Sequence, residues 1–167
     1  VVEHEAEYES VLVAFEVSDY VPEALATAVK LASRRRRGIH VLVTIVVPSA
    51  APIEARMPQQ ELEAQSIIEQ ARLLGGRRVS GHYEKVRAGQ AGRLIVDEAR
   101  ELSARAIVLP LPPRGAGSTL FGKTLETVLA ERPCRVIIES PPPGSDAARG
   151  GPRPGAAPAT RAEMGAR

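Results

Sequence analysis

Gly115-Ala-Gly117-Ser-Thr-Leu-Phe-Gly122-Lys123-Thr124 packs three glycines, a lysine and two threonines into one short segment, with Arg114 just before it. These residue types suit an anion. Glycines let the backbone come close to a phosphate, and the free N–H groups of a first helical turn point at it. Lys123 and Arg114 add positive charge and Thr124 adds a hydroxyl. The chemistry that follows is phosphate binding, provided a strand leads into the segment and a helix leaves it.

The flanks meet that condition. Ala106-Ile-Val-Leu109 is an apolar run that reads as a strand, and Leu125-Glu-Thr-Val-Leu129 reads as a helix. The pattern repeats along the chain. Val11–Phe15, Ile39–Val47, Val79–Val86 and Arg135–Ile138 read as further strands, the third nearer an edge because its apolar residues alternate with polar ones. Between them, Leu25, Ala28, Val29 and Ala32 mark one helix. Leu62, Ile67, Ile68 and Ala71 mark a second over 59–74 and are expected to face inward. Leu94, Ile95, Ala99 and Leu102 mark a third. Ser18 or Asp19 is expected to cap the first helix, with Pro22 in its first turn, and Arg34–Arg37 with Gly38 to close it. Strands alternating with helices imply an α/β domain: a parallel sheet with helices on both faces. Ligands of such folds sit at the carboxyl ends of the strands, where the loops after the first and fourth strands lie.

Composition bounds the rest. The chain has 167 residues, with 22 basic and 20 acidic side chains and a net charge of +2. That balance argues against nucleic acid as a partner. Aromatics are scarce, so the core must be aliphatic. No apolar run reaches the ~18 residues of a membrane span, and no signal peptide is apparent. Residues 1–9 are expected to be a linker, 10–140 one domain, and 141–167 a disordered tail of Pro, Gly, Ala and Arg. The absence of an initial Met is consistent with a segment cut from something longer. A single cysteine, Cys134, cannot form an internal disulfide and reads as a small core residue. His4, His40 and His82 show no metal-ligand spacing and read as ordinary strand or surface residues. Asp97 and Glu98 are helix neighbours that point apart, hence solvated charge.

Gly117 to Thr124 also matches the nucleotide-binding pattern G-x-x-x-x-G-K-T letter for letter. Only one strand follows it, however, and that strand ends in Glu139 rather than the Mg²⁺-binding Asp such enzymes place on a later strand. A P-loop NTPase is therefore the weaker alternative, and a plain strand-to-helix turn with Lys123 solvated is another.

Two further stretches carry a family resemblance. Val11-Leu-Val-Ala-Phe-Glu16-Val17-Ser18 resembles the I-L-V-P-V-D-G-S opening of universal stress protein domains. Gly122-Lys-Thr-Leu-Glu-Thr-Val-Leu-Ala-Glu-Arg-Pro133-Cys134-Arg-Val-Ile-Ile138 resembles their closing G-S-V-x-E-x-V-L-x-x-A-P-C-P-V-L-V. The resemblance spans residues 11–140 and implies a five-stranded parallel sheet of order 3-2-1-4-5. It implies a regulatory domain that binds an adenine nucleotide (ATP, AMP or a cyclic nucleotide, with or without Mg²⁺). Adenine would lie by Ala14, Phe15, Ile45 and Val46, and ribose near Glu16. Phosphates would rest on Arg114, Gly115, Gly117, Gly122, Lys123 and Thr124, with Gly89 bordering the site. This chain departs from the pattern in having Glu16 and Val17 for Asp and Gly, prolines at 110 and 113 where loop glycines are usual, and Lys123 for Ser or Thr. Those departures leave a non-binding dimerisation or interaction module as the alternative. The family also implies a homodimer through 135–138. Leu120-Phe-Gly-Lys-Thr resembles the form fused behind bacterial amino-acid permeases, which implies a cytoplasmic sensor on a membrane transporter.

Overall fold

A computed structural model of the chain describes residues 8–34, 38–111 and 122–140. Arg35–Arg37 and the expected tail at 141–167 lie outside the described residues, as do Arg114, Gly115 and Gly117. The elements run β1 (Val11–Glu16), α1 (Pro22–Leu31), β2 (Ile39–Val46), α2 (Pro58–Gly75), β3 (Val79–Val86), α3 (Ala91–Glu101), β4 (Ala106–Pro110), α4 (Gly122–Glu131) and β5 (Arg135–Glu139). All pairings are parallel, and the sheet order is β3-β2-β1-β4-β5. The expected strand order and fold class therefore hold.

Alternation along each strand divides the core in two. Val11, Val13, Phe15, Ile39, Val41, Val43 and Ile45 pack toward α1 and α2. Leu12, Ala14 and Leu42 pack toward α3 and α4, with Ile107 and Leu109 from β4. Because neighbours in a strand point to opposite faces, the register Glu16↔Thr44 and Leu42↔His82 carries the α3/α4 face across the sheet. Tyr8 bridges to Ala32, and its N–H donates to the Leu31 carbonyl at 2.8 Å. Residue 8, expected in the linker, is thus tied into the domain.

Several local expectations are corrected. The residues after β1 form a single 3-10 turn, Val17–Asp19, and α1 starts at Pro22 with no side-chain cap from Ser18 or Asp19. Proline at the first helical position needs no N–H partner there. α1 ends at Leu31, short of the arginines and Gly38. Leu62, expected inward, is 66% exposed, while Ala64 takes the buried position with Ile67, Ile68 and Ala71. Cys134 is half-buried at the rim of the α3/α4 side of the core. His40 and His82, expected to be ordinary strand or surface residues, lie side by side, with Nε2 of His40 3.0 Å from Nδ1 of His82.

Candidate functional site

A cleft of about 220 Å³ opens at the carboxyl ends of β1, β2 and β4, on the α3/α4 face. Its floor is Ala14, Phe15 and Thr44, and β4 contributes Leu109 and Pro110. Ala91 and Ile95 from α3 form one wall, and Gly122, Lys123, Thr124 and Leu125 form another. Glu16 and Asp19 stand at the mouth.

Each wall has a local cause. The turn after β1 is held by Tyr20, whose ring lies 5.4 Å from that of Phe15 and whose hydroxyl donates to Gln70 Oε1 at 2.6 Å. That contact fixes Asp19 close to Glu16. α3 and α4 meet at Gly92, where a Cβ would come within 2.7 Å of Thr127 Cβ and 2.9 Å of the Thr124 carbonyl oxygen. Only glycine permits so close a crossing, and the crossing brings the first turn of α4 over the cleft. Gly89 has φ of +78°, a conformation that favours glycine. A Cβ there would lie 2.9 Å from Lys123 Nζ, so Gly89 makes room for the lysine side chain.

The electrostatics are mixed. Burial raises the Glu16 carboxyl above its ordinary range, and the nearby Asp19 adds to that, while a bond from Ser18 opposes it. Burial likewise raises Asp19 against a weaker opposing bond from Ser18. Across the cleft, the ammonium of Lys123 has no ion pair among the described residues. The N-terminus of α4 adds N–H groups and the positive end of a helix dipole. Thr44 is fully buried, and its Oγ1 has no hydrogen-bond partner among the described residues. A buried hydroxyl without a partner costs roughly 1–3 kcal/mol.

Of the residues singled out from the sequence, Ala14, Phe15, Glu16, Gly122, Lys123 and Thr124 line the cleft together. Ile45 does not: its side chain is fully buried in the opposite, α1/α2 side of the core. Its neighbour Thr44 occupies the position facing the cleft. Val46 is half-buried and outside the lining, and Gly89 acts on Lys123 rather than on the cleft itself. Arg87, next to Gly89, donates to the Pro48 carbonyl at 2.7 Å. Asp19, Thr44 and Ile95 were not anticipated. Strand alternation from Ala14 and Glu16 through the β1–β2 register was the signal that could have found Thr44. Glu139, the acid considered for a P-loop enzyme, accepts a bond from Thr27 of α1 at 2.8 Å, away from Lys123.

Comparison with known proteins agrees with this architecture. The model of the Universal stress protein family matches residues 7–138. Among solved structures, a universal stress protein from Archaeoglobus fulgidus is 26% identical, with a TM-score of 0.56 over 79% of this chain and 93% of its own. The universal stress protein from Archaeoglobus fulgidus in complex with dAMP is 25% identical, with a TM-score of 0.54 over 78% of this chain and 97% of its own. UspA from Lactobacillus plantarum shares the fold at 19% identity, with a TM-score of 0.54 over 80% of this chain and 98% of its own. No curated protein matches the chain.

Proposed function

The chain belongs to the universal stress protein family, and from that premise we propose that it is a regulatory domain binding an adenine nucleotide in the cleft above β1 and β2. One observation carries the proposal. Lys123 and the first turn of α4 form one wall of a cleft that Thr44, whose buried hydroxyl is unpartnered among the described residues, lines from β2. A similar protein has been solved with dAMP. The base rests on Ala14, Phe15 and Leu109 and meets the Thr44 hydroxyl. The ribose hydroxyls donate to Glu16. The phosphates take the N–H groups of Gly122–Thr124 and the Lys123 ammonium, with Arg114, Gly115 and Gly117 of the preceding loop.

Glu16 and Asp19 would repel a polyphosphate in the absence of a cation. Mg²⁺ shared between them and the phosphates offsets that repulsion, so ATP binds more tightly with Mg²⁺ than without it. The proposed activity is binding rather than turnover.

A thermal-shift titration with ATP, AMP, cyclic AMP and cyclic dinucleotides tests this reading. A ligand at a hundred times its dissociation constant adds about 2.7 kcal/mol of stability. Absence of any shift, with Lys123→Ala indistinguishable from the parent, leaves the domain as an interaction module.

Two finer assignments rest on the same premise. The domain dimerises through β5, an edge strand whose Ile138 is 38% exposed; size measurement of Ile138→Asp checks this by loss of the dimer. The domain also serves as the cytoplasmic sensor of a membrane transporter, supported by the Leu120-Phe-Gly-Lys-Thr resemblance. Recovery of a permease from membranes by the tagged chain, dependent on nucleotide, checks that assignment.

A further inference from the structure

Away from the cleft, the α3/α4 face carries a second polar group of side chains. Nε2 of His40 on β2 lies 3.0 Å from Nδ1 of His82 on β3 and 3.3 Å from Oε1 of Glu98 on α3. These three donors all lie within 4.8 Å of one another. The outer nitrogens are also held. Nδ1 of His40 is 2.9 Å from Ser80 Oγ, and Nε2 of His82 is 3.3 Å from Glu84 Oε1. Four residues of strand separate His40 from Thr44, about 13 Å at the rise of a β-strand.

The geometry points to a divalent transition-metal site, Zn²⁺ by the chemistry of its donors, formed by His40 Nε2, His82 Nδ1 and Glu98 Oε1. Two imidazoles and one carboxylate are a nitrogen-and-oxygen set that zinc accepts in tetrahedral geometry. Metal–ligand bonds of about 2.0–2.1 Å place tetrahedral ligand atoms about 3.3 Å apart. The His40–Glu98 separation already equals that value, and the two rings need part by only a few tenths of an ångström.

The surrounding bonds fit the same reading. The distances admit a tautomer in which His40 Nε2–H is shared toward His82 Nδ1 and Glu98 and His82 Nε2–H donates to Glu84. His82 Nδ1 is then already a bare lone pair aimed at the centre. Binding requires one change of tautomer. The His40 proton leaves Nε2, Nδ1–H donates to Ser80, and the metal takes the place of the shared proton. A second oxygen behind each ligating ring is the usual means of orienting metal-bound histidine. Glu98, taken from sequence as solvated charge, is largely covered. His82 and Glu84 are partly exposed, leaving a path for the ion and a fourth position for water. A bound ion would pin edge strand β3 to β2 and α3 through one centre. The role is structural, and it is independent of the nucleotide reading.

The test is Co²⁺ titration of the metal-free full chain followed by displacement with Zn²⁺. One equivalent of Co²⁺ should give the visible bands of a four-coordinate ion, and one equivalent of Zn²⁺ should abolish them and raise the melting temperature. His82→Ala, at a partly exposed position, should fold and lose the bands. Glu84→Gln should keep them with affinity weaker by about 10- to 100-fold. His4→Ala and Cys134→Ser should change nothing. The proposal is overturned if no four-coordinate spectrum appears, or if the same spectrum and stoichiometry persist in His82→Ala and in His40→Ala. Retention of full affinity in Glu98→Gln would overturn the carboxylate's part in it.

Discussion

The two faces of the sheet are made from alternate residues of the same strands, yet they are finished differently. Toward α1 and α2, β1 and β2 present Val11, Val13, Phe15, Ile39, Val41, Val43 and Ile45, all essentially without exposure. Toward α3 and α4 the same strands present Leu12, Ala14, Glu16, His40, Leu42 and Thr44, a row broken by small and polar side chains. The first face is filled and carries stability. The second leaves space at the carboxyl edge, where the cleft opens, and places polar groups nearer the other edge. Aliphatic packing thus holds the frame on one side so that the other can leave a hydroxyl unpartnered and two carboxylates partly desolvated.

Substitution of adjacent residues on β2 would break this contrast most sharply. Ile45→Ala removes a fully buried side chain from the filled face and should cost about 2–5 kcal/mol. Denaturant unfolding reads that loss, and nucleotide affinity measured well below the melting point should be unchanged. If affinity falls with it, the two faces are not separable. Gly92→Ala acts at the α3–α4 crossing, where the added methyl would meet Thr127 Cβ and the Thr124 carbonyl. Overpacking there should cost about 1–3 kcal/mol. Because the first turn of α4 must move, nucleotide affinity should fall as well, which distinguishes it from Ile45→Ala.

Lys123→Ala should reverse the ratio of effects. The side chain has no ion pair among the described residues, so unfolding should barely change. A charge-assisted bond to phosphate contributes about 1.5–3 kcal/mol, so affinity for ATP should drop about 10- to 150-fold. Adenosine, lacking phosphate, should bind the variant and the parent alike. Thr44→Val should have a smaller and opposite pair of effects. Removing the unpartnered hydroxyl should stabilise the ligand-free domain by roughly 1 kcal/mol, and it should weaken nucleotide binding by about 0.5–1.5 kcal/mol. Calorimetric unfolding with and without AMP measures both. Weaker unliganded stability in the valine variant would mean that the hydroxyl is satisfied.

How far the sequence could be read follows the same division. The strands were legible because buried parallel strands are continuous apolar runs, and the Lys123 wall was legible because Gly122-Lys123-Thr124 opens the helix that follows the loop after β4. What such a run conceals is which residue faces which way. Ile45 and Thr44 sit in one apolar stretch, and only the pairing with Glu16 shows that Thr44 faces the cleft. His40 and His82 are 42 residues apart, and nothing local links them until β2 and β3 are set in register. Leu62 fits a helical apolar stripe by spacing, but α2 turns that edge to solvent. Ser18 and Asp19 have the chemistry of helix caps, yet a 3-10 turn intervenes and Pro22 starts the helix instead.

The finest distinction between the faces is in their response to pH, and Glu16→Gln isolates it. Burial and the neighbouring Asp19 raise the Glu16 carboxyl in the folded state above its unfolded value of about 4.3. In the interval between the two values the folded chain binds more protons than the unfolded one, so stability falls as pH rises through it. The contribution is fully present below about 4.3 and is lost above the folded value. The amide of the variant stays neutral throughout, while Asp19 is common to both proteins and largely cancels. The stability difference, variant minus parent, should therefore be flat at the acidic end, climb through that interval and level off toward neutral pH. The climb is small because Glu16 is only half-covered and water screens its charge. Urea unfolding at closely spaced pH values measures it, and a level difference across the interval would mean that Glu16 is fully solvated at the cleft mouth. Nucleotide binding should move the other way at neutral pH. The ionised Glu16 accepts the ribose hydroxyl more strongly than an amide does, so Glu16→Gln should gain stability when unliganded while losing affinity.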